Sequence, residues 1–239
     1  MKRNRYLMVV FVLFASLPMQ VFAQDTSLVI GLKSWFANET LEIKDKNSGE
    51  SVEEESEYTA LVGPSLNIRY GSWFGGANYL TGELTFKDFI VTGVDVEIER
   101  TEWDVFGGYY FLPQLAVLLG YKQLEADAYN ERVENIVTNN YSGVVLGLTG
   151  FYPVGRQSAL YGTYTFAALE DENNTEYTGS TLEFGFASSL QNIALSYSIG
   201  LKIQVYQYDW QFEDPSGGSF DTERTDSFGG LTLGVNYKI

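Results

Sequence analysis

Apolar and polar positions alternate without a fault over residues 194–205. Leu195, Tyr197, Ile199, Leu201, Ile203 and Val205 stand on one face, and Ala194, Ser196, Ser198, Gly200, Lys202 and Gln204 on the other. A period of two over such a length is a strand. The chain closes in the same way, with Leu231, Leu233, Val235, Tyr237 and Ile239 opposite Gly230, Thr232, Gly234, Asn236 and Lys238. Ten segments carry this signal, near 27–37, 57–70, 73–86, 99–111, 115–125, 140–152, 158–169, 177–189, 193–208 and 226–239. The connections alternate. Long ones are 38–56, 87–98, 126–139, 170–176 and 209–225; short ones are Gly71–Ser72, Leu112–Gln114, Pro153–Gln157 and Leu190–Asn192.

This sidedness predicts an all-β fold, a transmembrane antiparallel up-and-down β-barrel of about ten strands, within a range of roughly 8–12. An even number leaves both termini on the short-turn side. Two segments strain the pattern. Pro64 interrupts an otherwise regular strand with Tyr58, Ala60, Val62, Leu66, Ile68 and Tyr70 outward, and predicts a bulge or local irregularity, because a closed barrel has no edge to hide a missing N–H. In 73–86, Tyr79 and Leu80 compete for the lipid face, and a bulge between Gly75 and Gly82 would reconcile the halves.

The first residues bring in Lys2, Arg3 and Arg5, an apolar run from Tyr6 to Leu17, then Pro18 and small residues before Gln24. This predicts a secretory signal peptide over 1–23 and a single domain over 24–239. The apolar run is too short for a spanning helix. Cys is absent, which removes disulfides and thiolate metal sites. The whole chain has a net charge of −16; residues 1–23 hold three of the 15 basic residues and none of the 31 acidic ones, so 24–239 carry −19. Nucleic acid is thereby excluded as a partner. The 17 Tyr and 16 Phe suit aromatic girdles at two membrane surfaces. Trp73, Phe74, Tyr109, Tyr110, Phe111, Phe151, Tyr152 and Tyr237 lie beside short turns; Trp35, Phe36, Tyr58, Trp103, Tyr177, Tyr208 and Trp210 lie beside long loops.

Strand phase places Lys33, Arg69, Glu83, Arg100, Glu102, Asp104, Lys122, Glu183, Lys202 and Lys238 in the lumen. A mid-strand lysine on the lipid face would cost about 2–4 kcal/mol, so Lys122 and Lys202 fix which face is inside. Ten strands enclose little more than packed side chains, and the interior predicted is a nearly closed network of charge pairs and small residues. Glu102 and Asp104 share a face; pairing with Arg100 and Lys122 explains them better than acid–base catalysis. The chain contains no His, and no nucleophile–base constellation is visible. No catalytic residue, metal site or cofactor is predicted.

The long loops are acidic. Residues 38–56 hold Glu39, Glu42, Asp45, Glu50, Glu53, Glu54 and Glu55 against Lys44 and Lys46, a solvated run. Asp45–Gly49 has a trace of a calcium loop, but Ser56 stands where the bidentate Glu is required and the Gly comes one place early. Loop 209–225 sets Trp210, Phe212 and Phe220 among Asp209, Glu213, Asp214, Asp221 and Glu223, suiting either a hairpin extension or a surface contact.

Taken together, the mature chain resembles the small monomeric outer-membrane β-barrels of Gram-negative bacteria, the broad group of OmpA- and OmpX-like and ten-stranded barrels. The C-terminal strand, Leu231, Leu233, Val235, Tyr237 and Ile239, is similar to the insertion signal of such barrels, ending in Ile where the group usually has Phe or Trp. The resemblance implies localisation in the cell outer membrane, contact with outer-membrane lipid and lipopolysaccharide, insertion by the barrel-assembly machinery, and a monomer. The functional expectation is a non-enzymatic barrel with a mostly closed, charge-paired lumen and acidic surface loops serving envelope integrity or interaction with an extracellular ligand. The alternative is a narrow porin-like channel for small solutes. A soluble secreted β-barrel or sandwich is the architecture to be distinguished from both.

Overall fold

The computed structural model describes residues 26–87, 95–130, 133–172, 175–213 and 219–239. The signal-peptide expectation for 1–23 lies outside them, as do Asp214 and the turn residues Pro215–Gly218. Eleven strands follow in chain order: β1 (Ser27–Asp45), β2 (Ser51–Glu55), β3 (Thr59–Tyr70), β4 (Trp73–Phe86), β5 (Val96–Leu112), β6 (Leu115–Asn130), β7 (Val133–Pro153), β8 (Ser158–Asp171), β9 (Glu176–Ser189), β10 (Leu195–Glu213) and β11 (Ser219–Lys238). Each barrel strand pairs antiparallel with its neighbour, and β11 pairs back onto β1 from Val29↔Lys238 to Asp45↔Thr222. Ten strands therefore close the barrel, while β2 adds a short hairpin on the far half of β1.

Several strands run well past the predicted ends, into stretches the sequence pattern assigned to long loops. The reason is an inversion of polarity within an unbroken register. Along β10 the outward positions Tyr197, Ile199, Leu201 and Ile203 are exposed and apolar; further along the same face come Gln207 and Asp209, while Tyr206 turns inward and is 1% exposed. On β6 the outward Val117, Leu119 and Tyr121 give way to Gln123, Glu125 and Asp127, with Leu124 buried inside. On β1, Ile30, Leu32 and Phe36 give way to Asn38, Thr40 and Glu42, with Leu41 inside. The half near the short turns is thus built for lipid outside and polar groups inside. The other half has a mainly apolar interior, into which Glu39 and the Arg224–Asp226 pair also turn, and a polar exterior, like a barrel in water.

The two strained segments resolve differently. The β3–β4 ladder omits Gly63 and Pro64 but keeps its register on either side, whereas β1 pairs with β3 straight through Leu32↔Pro64. Pro64 thus causes a local loss of pairing. A Cβ on Gly63 would lie 2.0 Å from the Tyr79 carbonyl oxygen, so only glycine allows this approach. The bulge expected in 73–86 is absent: β4 pairs with β5 in one register from Trp73↔Tyr109 to Phe86↔Val96. Tyr79 takes the outer face against Trp103, ring centroids 4.7 Å apart, and Leu80 points in, 2% exposed.

Candidate functional site: a packed lumen and the cavity beneath it

The interior has three layers. At the long-loop end, Trp35, Leu41, Leu61, Leu84, Phe86, Leu124, Tyr141, Leu169, Tyr177, Tyr206 and Phe228 form one buried apolar cluster. Tyr141 and Tyr177 stack at 4.6 Å, Tyr177 meets Tyr208 at 4.3 Å, and Trp35 meets Phe228 at 6.1 Å. Such rings pack by offset and edge contacts and exclude water. Trp35, Tyr177 and Tyr208, expected in an aromatic girdle, belong to this core, as their inward phase beyond the lipid belt dictates; Phe36, Tyr58 and Trp103 do face outward. At the other end Trp73, Tyr109, Phe111, Tyr152 and Tyr237 are exposed outside, and Phe74, Tyr110 and Phe151 turn into the lumen.

Beneath the apolar layer lies a charged one. Glu102, 1% exposed, accepts hydrogen bonds from Arg100 Nη2 at 2.7 Å and Nε at 3.0 Å, from Lys122 Nζ at 3.1 Å and from Lys202 Nζ at 3.4 Å. Lys122 also reaches Asp104 at 2.8 Å. Lys33 pairs with Glu183 at 2.8 Å, and the Tyr161 hydroxyl donates to Glu183 at 3.2 Å. Two cations lie against rings of the apolar layer: Arg100 is 3.7 Å from the Phe228 centroid and Lys202 Nζ 3.8 Å from that of Trp35. Sharing one carboxylate among three cations, each supported by a second contact, suits an interior where an unpaired charge is costly.

The predicted lumen residues thus divide. Lys33, Arg100, Glu102, Asp104, Lys122, Glu183 and Lys202 come together in this layer. Arg69 faces inward nearer the turns, against the Tyr110 ring at 4.6 Å. Lys238 follows the inward phase but stands exposed at the rim. Glu83 is a correction: it lies on the outer wall, because the uninterrupted β4 register puts Tyr79, Thr81 and Glu83 on one face and Leu80 and Leu84 on the other. Sequence reasoning missed the apolar core altogether, although its signal, polar residues entering the outward phase of several strands, was present.

The third layer is a cavity of ≈ 500 Å³ between the charged groups and the short turns, lined by Lys33, Asp104, Lys122, Glu183, Lys202 and Gln204 at its top and reaching Phe74, Tyr110 and Phe151.

On the outer wall of the long-loop half, carboxylates oppose one another across the ladders: Glu83↔Glu99, Glu99↔Asp127, Asp209↔Glu223 and Glu170↔Glu176. Among the described residues, no group of three or more potential ligands could hold a metal ion. Asp45–Gly49 is a hairpin turn: Asp45 Oδ1 accepts from the Asn47 N–H at 2.7 Å and Oδ2 from the Ser48 hydroxyl at 3.0 Å, and Gly49 takes φ +76°. The Asn47 N–H and Ser48 hydroxyl hold the Asp45 carboxyl below its usual pKa. Lys46 is raised above the usual ammonium value by its hydrogen bond to Asp209, 2.6 Å away.

Comparison with known proteins agrees with this architecture. Outer-membrane protease OmpT from Escherichia coli superposes with a TM-score of 0.56 at 11% identity, over 92% of this chain and 99% of that one. OprG of Pseudomonas aeruginosa aligns over 93% of this chain and 99% of its own at 11% identity, TM-score 0.40. No curated protein matches. The OmpA-like transmembrane domain matches residues 70–239, and this chain, a closed ten-stranded barrel with a lipid-facing belt, belongs to that family of outer-membrane proteins.

Proposed function

We propose that this protein is a non-conducting, non-enzymatic barrel that displays an acidic collar at the cell surface, with the apolar core of its outer half as a permanent seal. One observation carries the reading: the extracellular half of the lumen is filled by side chains packed as in a soluble core, Trp35 and Leu84 at 0% exposure and Tyr206 and Phe228 at 1%. Solute crossing there would have to break packing that contributes roughly 1.5–3 kcal/mol per large side chain. No His is present, and Glu102, Asp104 and Glu183 of the charged layer are each engaged by a lysine or arginine, which favours the non-enzymatic reading. The collar carries opposed carboxylates such as Glu83 and Glu99; like charges across a ladder oppose sheet stability, and their retention suits interaction with a basic extracellular partner or, through cations, with lipopolysaccharide phosphate. Leu231, Leu233, Val235, Tyr237 and Ile239, outward on the last strand, serve as the insertion signal read by the barrel-assembly machinery.

Planar-bilayer recording on the purified barrel tests the seal. The expected result is a silent membrane; steady unitary conductance that changes when Lys122 or Lys202 is neutralised would overturn it and establish the narrow channel.

A further inference from the structure

The cavity below the charged layer contains more donor capacity than its own residues use. Its charged lining consists of Lys33, Lys122 and Lys202 against Asp104 and Glu183. Lys33 is committed to Glu183 and Lys122 to Asp104, each at 2.8 Å. Lys202 is left with its 3.4 Å contact to Glu102, a carboxylate already held more closely by Arg100 and Lys122. Two residues along the same face of β10 stands Gln204, which is 0% exposed. Its Oε1 accepts from Arg100 at 3.2 Å, which fixes the amide orientation, and its Nε2 has no hydrogen-bond partner. A buried donor left in that condition is costly. Lys202 and Gln204 both line the cavity.

We propose that this cavity is a binding site for a small carboxylate-bearing solute taken from the periplasm, with the carboxylate held between Lys202 Nζ and Gln204 Nε2. One cationic and one neutral donor side by side suit the two oxygens of a monoanion. A phosphate dianion presents more acceptors than this pair supplies. The remaining lining suits a small mixed body: Thr163, Thr165 and Thr181 offer hydroxyls, and Phe74, Tyr110 and Phe151 offer ring faces toward the periplasmic turns. The volume, ≈ 500 Å³, lies in the range of small-molecule sites. Entry is from the periplasmic side, because the apolar layer lies beyond the charged one. The entry route rests on the sealed-lumen reading, whereas the site itself does not: binding and conductance are separate measurements.

Trp35 supplies the reporter, since its ring lies 3.8 Å from Lys202 Nζ. With Trp73, Trp103 and Trp210 replaced by Phe, the fluorescence of the folded barrel in detergent is followed while benzoate or gluconate is added, with benzamide and glucose as neutral counterparts and ionic strength held by chloride. The expected result is a saturable change with at least one acid and none with its neutral counterpart. Gln204→Glu keeps an acceptor for Arg100 and removes the free donor; it should weaken the acid by roughly tenfold or more while preserving the heat-dependent gel shift of a closed barrel. Lys202→Gln should weaken it likewise. Absence of saturation with both acids, equal response to the neutral counterparts, or unchanged affinity in a folded Gln204→Glu barrel would overturn the proposal. Tighter binding of inorganic phosphate than of either acid would overturn the carboxylate assignment.

Discussion

Glu102 is the residue on which the interior charge network turns. Its carboxylate contacts Arg100, Lys122 and Lys202, so Glu102→Gln would leave three buried cations short of compensation. Urea unfolding in lipid vesicles should report a loss of about 3–5 kcal/mol, the scale for removing one member of a buried ion network. Asp104, whose side chain is 27% exposed, can be relieved by water, and Asp104→Asn should cost less. On the outer wall the sign reverses: Glu99 lies opposite both Glu83 and Asp127, so Glu99→Gln should be neutral or stabilising by a few tenths of a kcal/mol. The Asp45 turn supplies a pH dependence. Its carboxyl is depressed below the usual value by the Asn47 N–H and the Ser48 hydroxyl, so the turn's contribution is full above the ordinary carboxylate range near about 4 and is lost as pH falls through the depressed value. Protection of the Asn47 amide, taken as its exchange rate relative to the intrinsic rate at each pH, should fall over that acid window, and Asp45→Ala should show little protection at any pH.

At the scale of the strand, the polarity inversion fixes the edge of the membrane. Ile203 is exposed on the lipid face, and Gln207 stands on the same face beyond the belt. Ile203→Lys should cost up to about 2–4 kcal/mol, depending on its depth in the bilayer, whereas Gln207→Lys should be nearly neutral; folding titrations of the two variants in the same vesicles measure the difference. Equal costs would move the boundary outward along β10. The inversion also explains which element ends were legible. The short turns are legible at Gly71–Ser72 and Leu190–Asn192, where Gly71 and Asn192 adopt positive φ. The long-loop ends are not legible in the same way, because a strand whose outer face becomes polar has the pattern of a loop wherever the lipid-facing apolar positions stop.

For the molecule as a whole, the barrel couples a membrane-type half to a water-type half through one continuous hydrogen-bonded wall. Weakening the core of the outer half should therefore weaken the closed barrel. Leu84 is fully buried, and Leu84→Ala should remove about 2–5 kcal/mol, lowering the temperature at which the SDS-resistant form converts on gels. An unchanged conversion temperature would mean that the two halves yield independently.

The sequence determined the architecture, because period-two alternation ending in long and short connections has few physical solutions in a chain this acidic. It also placed Arg100, Glu102, Asp104, Lys122 and Lys202 on the inward face, since a strand's phase assigns every second residue. Which charges meet was decided by tertiary structure: Lys202 and Glu102 are a hundred residues apart, and only closure with its particular register brings them to 3.4 Å. The unbroken pairing of β4 with β5 decided the outward place of Glu83, and closure of β1 onto β11 brought Trp35 against Phe228. Phase is readable along one strand, but whether its outward face meets lipid or water depends on height in the barrel, which is set jointly by all ten strands.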